Sequence, residues 1–268
     1  HNTRGHSLYV SYDRGSSFSP LPMPEAEEIP GSKLSGLVAQ RYNYDGTYLY
    51  VTLSVTGSHS YVVENGYSCD SGDALGGRVL RYSFDDDNKI TGYTDITPEF
   101  TPGKSLNYGF SGISTCAKMP GMLACSTICH DRDDVIYVSY DYGDTWKPKL
   151  QGLSIGKMNF QAPYMHPACN GGGNLIHWLS DIQFHPSRPE ELWFNTGTGV
   201  FVSRNFHEET AVFSDCCDGL EETVHLNIYS LPSGDVQVLD ILGDLGGFAF
   251  QDLDTPCGNS FADENQNR

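Results

Sequence analysis

The sequence predicts an all-β fold, a β-propeller of repeated antiparallel sheets, and three observations carry that prediction. Short runs rich in Val, Ile, Tyr and Thr recur along the 268 residues, each bounded by Gly, Asp, Asn or Pro. Two ten-residue segments far apart in the chain share one pattern of residue types at the same offsets. No long stretch carries a helical period. Composition agrees, with 29 Gly, 16 Tyr and only 19% charged residues, which suits many short strands joined by tight turns. An apolar content of 38% is enough to bury a core, which disfavours disorder.

The strand-like runs follow in order at Leu8 to Tyr12, Tyr48 to Val55, Arg78 to Phe84, Val135 to Tyr140, Glu191 to Asn195, Val200 to Ser203, Val224 to Tyr229 and Val236 to Leu242. Their β-branched and aromatic residues pack well on a pleated, half-buried surface. The repeated segments are Tyr9-Val10-Ser11-Tyr12-Asp13-Arg14-Gly15-Ser16-Ser17-Phe18 and Tyr137-Val138-Ser139-Tyr140-Asp141-Tyr142-Gly143-Asp144-Thr145-Trp146. Both resemble the Asp box, Ser-x-Asp-x-Gly-x-x-Trp, found at hairpin turns of sialidase-like propellers. The pattern has a physical cause. Asp13 and Asp141 accept hydrogen bonds from nearby backbone N–H groups and fix the turn. Gly15 and Gly143 supply a left-handed conformation. Phe18 and Trp146 are expected to pack beneath their hairpins. Ser11 and Ser139 complete the set, so these residues read as structural and not catalytic.

Weaker echoes lie at Tyr82 to Asp87, which lacks the glycine, and at Phe201 to Phe206, where Asn205 replaces the aspartate. Centres at 13, 85, 141 and 205 are separated by 72, 56 and 64 residues. About 60 residues per unit fits a four-stranded blade with loops. Four such units use nearly the whole chain, whereas propellers have about 4–8 blades. The chain is therefore expected to be an incomplete part of a larger propeller, closed by a companion polypeptide segment. It starts at His1 with no Met and no signal peptide, which reads as a processed or fragmentary start.

The C-terminal third carries a more specific pattern. Asp218-Gly219-Leu220-Glu221-Glu222-Thr223 is followed by Ser230-Leu231-Pro232-Ser233-Gly234, Gly243-Asp244-Leu245-Gly246-Gly247-Phe248 and Asp252-Leu253. This series resembles glycoside hydrolase family 74, whose members carry Gly-Ile-Glu-Glu-Thr, Ser-Pro-x-Gly and Gly-Asp-Ile-Gly-Gly-Phe in this order. Upstream, Asp95-Ile96-Thr97-Pro98, Trp178 to Pro186 and Asn195 to Phe201 resemble further family segments. The resemblance runs from the first Asp box to Asp252. It implies two seven-bladed propellers facing each other across a cleft, and inverting cleavage of β-1,4-glucan such as xyloglucan. Residues 1–240 then correspond to blades of the first propeller. Residues 241–268 correspond to the start of the second, or to a closing strand and tail.

The resemblance makes Asp244 the general acid. The family's base lies in an Arg-Thr-Asp-x-Gly-Gly segment that does not occur in this sequence, so the base is expected from outside the chain. Inverting hydrolysis needs two carboxyl groups about 6.5–9.5 Å apart, one protonating the leaving oxygen and one activating water. Pattern alone reads Asp244 as a turn cap. Glu221 and Glu222 are neighbours, which on a strand point to opposite faces and cannot both line one site. Asp181 is a weaker candidate carboxylate. Trp178, whose segment resembles a tryptophan-bearing cleft loop of the family, and then Phe110, whose segment resembles a Gly-rich cleft loop, are the expected sugar platforms; the ordinary alternative is that both fill blade interfaces. Trp146 and Trp193 are expected in the core.

A formal net charge of −18 repels phosphate backbones and anionic headgroups, which argues against nucleic acid as a partner. No apolar run is long enough to span a membrane; Val236 to Phe250 is interrupted by Asp240 and Asp244. No histidine or cysteine spacing forms a metal motif and no cofactor is implied. Eight cysteines, at 69, 116, 125, 129, 169, 216, 217 and 257, point to disulfides and a secreted protein. Their pairing stays open, with adjacent Cys216 and Cys217 expected to take different partners. The competing reading is a non-catalytic secreted propeller that binds glycan or protein as an adhesion or scaffold module. A sortilin-like receptor explains the boxes but not Gly-Asp-Leu-Gly-Gly-Phe.

Overall fold

A computed structural model describes residues 8–24, 37–55, 77–99, 109–128, 134–151, 155–162, 176, 178–218, 220, 225–243 and 246–255. All regular elements among them are strands. A hairpin of β1 (Tyr9–Val10) and β2 (Ser19–Pro20) comes first. Two four-stranded antiparallel meanders follow. One is β3 (Leu37–Tyr44), β4 (Leu49–Val55), β5 (Gly77–Phe84) and β6 (Ile90–Asp95). The other is β7 (Gly109–Thr115), β8 (Leu123–Ile128), β9 (Val135–Ser139) and β10 (Lys147–Gln151). The next sheet joins β12 (Asp181–Phe184), β13 (Leu192–Thr196), β14 (Gly199–Ser203) and β15 (Val212–Asp215). β11 (Lys157–Asn159) adds a parallel edge beside β15. A three-stranded sheet of β16 (His225–Ser230), β17 (Val238–Leu242) and β18 (Gly246–Phe250) completes the described chain. The expected boundary after residue 240 falls inside β17.

Successive residues of a strand point to opposite faces, and in the sheet of β3 to β6 both faces are covered. On β4, Tyr50 packs with Phe110, Ile113 and Leu123 of the following sheet. Its neighbours Val51 and Leu53 pack the other way, with Leu21 and Val10 of the first hairpin. A third cluster joins Ile136, Val138 and Leu150 to Ile182, Phe194, Phe201 and Phe213 of the next sheet. The core is thus a series of layers between consecutive sheets, which is the packing of propeller blades.

All four turn centres singled out in the sequence precede the last strand of a meander or hairpin. At the first, Ser11 Oγ donates to Asp13 Oδ1 (2.8 Å) and accepts from Gly15 N (2.6 Å); Ser17 N and Oγ donate to the Asp13 carboxylate (2.8 and 2.6 Å). The same bonds join Ser139, Asp141, Gly143 and Thr145, at 2.7, 2.8, 2.8 and 2.6 Å. These donors hold Asp13 at about 2, with the Ser17 hydroxyl foremost, and lower Asp141 through the Thr145 hydroxyl. At Asp85 the carboxylate still accepts from the amide four residues on, Lys89 N (2.8 Å), and Asn88 supplies the left-handed residue (φ 58°). At Asn205 the turn is longer, and its Oδ1 accepts from Val212 N (2.8 Å).

The second turn also fastens one sheet to the previous one. Trp146 Nε1 donates to Ile96 O (2.6 Å), and Arg81 Nη1 donates to Tyr142 O (2.8 Å) and Asp144 Oδ1 (2.9 Å). Trp146 is half-buried against the core, close to its expected place. Phe18 departs from expectation: it is 65% exposed. A phenyl ring has no N–H to anchor it, and most of this one is open to solvent.

Candidate functional site

Each meander has two ends, and the cross-sheet bonds fix their direction. Ser111 Oγ donates to Ser180 O (2.6 Å), and Ser114 Oγ accepts from Phe184 N (2.9 Å), so β7 and β12 run side by side in one direction. At the far end of β7, Thr115 Oγ1 donates to Asn43 Oδ1 near the end of β3 (2.7 Å). The box turns therefore gather at one end of the sheets. The residues leading into β7 and β12, and those leading into β9, gather at the other.

Trp178 lies at this second end, directly before β12. It is 45% exposed, although Ile176 and Leu179 beside it are buried. Its backbone is left-handed, with φ 53°. That is uncommon for a bulky residue and costs about 1–3 kcal/mol, which persists only where the surroundings impose it. The surroundings do so here. Asp134, fully buried, donates its N–H to Ile176 O (2.8 Å) and accepts from Leu179 N at its carboxylate (3.0 Å). Thr127 Oγ1 donates to the other carboxylate oxygen (2.9 Å). Ser180 N donates to Asn195 O (3.3 Å), and Asn195 Nδ2 donates to Ser180 Oγ (2.8 Å). An aromatic ring held outward from a fixed backbone is suited to stacking on an apolar ring face, as on a pyranose.

Phe110, the second expected platform, is 1% exposed and sits in the layer with Tyr50, Val79 and Ile113. A ring so enclosed offers no face to a ligand; the ordinary reading of an aromatic at a blade interface holds for it. Asp181 is engaged locally: Oδ2 lies 3.6 Å from Arg41 Nε, and Oδ1 accepts from Ile182 N (2.9 Å). Trp193 is half-buried, with Nε1 donating to Glu191 Oε1 (2.6 Å). Asp244, Glu221 and Glu222 lie outside the described residues. The strands flanking Asp244 are described: Leu242 pairs with Gly246 and Ile241 with Gly247. Gly246 (φ 77°) and Gly247 (φ 152°) adopt backbone conformations that side chains disfavour. In the same sheet His225 Nδ1 lies 2.9 Å from Asp240 Oδ1, a pair the sequence did not single out.

Among the described residues Cys116, Cys125, Cys216 and Cys217 carry free thiols; the other four cysteines lie outside them. No cluster of metal-ligating side chains and no helix long and apolar enough to cross a membrane occurs among the described residues. Asp134, Ser111 and Asn195 are the site-building residues that sequence reasoning missed.

No protein-family model matches the chain. A xyloglucanase from Paenibacillus sp. is 26% identical over 277 residues, covering 97% of this chain and 24% of that protein. An oligoxyloglucan-reducing end-specific xyloglucanase from Emericella nidulans is 25% identical over 185 residues, covering 55% of this chain and 23% of its own. The chain thus spans about a quarter of the length of the curated relatives it matches. Among solved structures, the GH74 enzyme of Niastella koreensis superposes with a TM-score of 0.71 at 21% identity, over 96% of this chain and 33% of that one. The GH74 xyloglucanase of Xanthomonas campestris gives 0.70 at 22%, over 94% and 32%. The fold is that of the GH74 β-propellers, and the chain resembles glycoside hydrolase family 74 along most of its length.

Proposed function

We propose that the chain is part of a secreted glycoside hydrolase that cleaves the β-1,4-glucan backbone of xyloglucan or a related glucan. The likeness to a Paenibacillus xyloglucanase over 97% of the chain is the observation that carries this reading. In it, the paired turns around Asp13 and Asp141 are Asp boxes, and they hold the blades without taking part in chemistry. Trp178 is a sugar platform, because its indole is exposed from a backbone held on both sides.

Asp244 is the general acid, protonating the glycosidic oxygen as the bond to the leaving sugar breaks. The base that activates water on the opposite face comes from a segment outside this chain, at a carboxylate separation of about 6.5–9.5 Å. The glycines at 246 and 247 support the acid role, since absent side chains let a substrate approach the backbone. The test is hydrolysis of xyloglucan by the protein carrying Asp244→Asn. Turnover is expected to vanish while glycan affinity and the unfolding midpoint stay unchanged. Full activity in that variant would sink the assignment.

A further inference from the structure

We propose that Asp134 is the positioning residue that holds Trp178 in place as a sugar platform, an inference that rests on the reading of Trp178 given above. The residue precedes β9 and belongs to a different sheet from β12. It nevertheless brackets the segment 176–179 from both sides, through its own N–H to Ile176 O and through Oδ2 to Leu179 N. Trp178 stands between these two fixed points. Its left-handed backbone sends the exposed indole away from the layer that buries Ile176 and Leu179.

The carboxylate is itself fixed. It is fully buried and accepts from Thr127 Oγ1, and that hydroxyl in turn accepts from Val135 N (2.8 Å). Buried carboxylates are retained only where hydrogen bonds replace the lost water. Here one of those bonds goes to the segment that displays the tryptophan and another to Thr127, and Asp134, fully buried, has no direct reach to a ligand. Ser111 Oγ on Ser180 O adds a third fastening from β7. Preorganisation of this kind lowers the ordering cost of binding, because the ring is in place before the sugar arrives.

Three variants of the full chain separate this role from ordinary packing. Asp134→Ala removes the acceptor of Leu179 N–H, Asp134→Asn keeps one acceptor, and Thr127→Val disturbs the same buried network without touching the 176–179 backbone. Hydroxyl-radical footprinting with mass spectrometry reads the accessibility of each tryptophan. Asp134→Ala is expected to change the Trp178 oxidation rate at least ~2-fold while Trp146 and Trp193 keep theirs. Asp134→Asn is expected to restore it, and Thr127→Val to leave it unchanged.

Binding of a xyloglucan oligosaccharide is measured alongside. Trp178→Ala should weaken it by about tenfold and Asp134→Ala by several-fold, with Asp134→Asn close to the parent. Weak binding in Trp178→Ala with an unchanged Trp178 footprint and full affinity in Asp134→Ala overturns the role of Asp134 and leaves the platform standing. Undiminished affinity in Trp178→Ala overturns the platform and this inference with it. If Asp134→Ala does not fold, hydrogen exchange on the parent protein decides. The Leu179 amide is expected to exchange as slowly as the paired amides of β12, and fast exchange would refute the bracket.

Discussion

Two glycines of one sequence pattern are expected to respond unequally to the same substitution. Gly15 and Gly143 both hold a left-handed backbone, at φ 88° and 92°. Replacing either by Ala places a Cβ in a conformation that costs about 1–2 kcal/mol. At Gly15 that is nearly the whole cost, because the added carbon would meet nothing closer than Phe18 Cζ at 3.9 Å. At Gly143 the carbon would sit 2.4 Å from Ile96 Cδ1. Ile96 is buried in the layer between two sheets, and its carbonyl is held by Trp146. Overpacking of that kind adds about 1–3 kcal/mol. Gly143→Ala should therefore lose about 2–5 kcal/mol and Gly15→Ala about 1–2 kcal/mol. Urea unfolding of the two variants and the parent, followed by tryptophan fluorescence, measures both losses as shifts in midpoint. Equal losses would refute the seating of the second turn on Ile96. No loss in either would refute the need for a left-handed residue in the turn.

Other consequences can be measured on the same protein. Asp141→Ala removes the acceptor of Thr145 N, Thr145 Oγ1 and Ser139 Oγ and should destabilise by about 1–3 kcal/mol in urea. Glu191 is held at about 2, against an ordinary value of 4.5, chiefly by the bidentate Arg188. Its folded form is thus favoured when ionised, so this stabilisation is complete above pH 4.5 and is lost as pH falls towards 2. Glu191→Gln should flatten the stability profile across that window, and an unchanged slope would count against the pair. Burial pushes the Cys125 thiol well up. Native protein treated with a thiol reagent at pH 8 should be modified at half-buried Cys216 before buried Cys125, which reacts only on unfolding.

Strands on which β-branched and aromatic residues dominate were legible from the chain alone; β4, β5, β9, β13, β14, β16 and β17 fall on the expected runs within a few residues. β7 and β8 do not stand out, and the reason is physical. They lie between tightly packed neighbours, where small residues are required. A Cβ on Gly112 would come within 2.9 Å of the Ile182 backbone. Ser111, Ser114, Ser126 and Thr127 are buried there with cross-strand or cross-sheet partners. Propensity scores such a run as a loop, while packing makes it the inside of the fold. The turn carboxylates could be read because their partners are a few residues away. Asp134 could not. In Asp131-Arg132-Asp133-Asp134 the three acids look alike, and only the arrival of residues 176–179 distinguishes the last of them. Trp178 could be ranked ahead of Phe110 but not separated from it as exposed against buried, since exposure is settled by the neighbouring sheets.

Separating fastenings from display has a consequence for how such a chain can change. The turns at one end are short, saturated with hydrogen bonds and keyed to the adjoining sheet, so an inserted residue there would break the joint between blades. The opposite end tolerates length: β4 stops at Val55 and β5 resumes at Gly77, yet the two strands pair in full register. Sequence can be gained, lost or exchanged on that side while the blades stay locked below it. One scaffold can thereby be refitted to a different ligand, in the way a tool handle accepts successive heads.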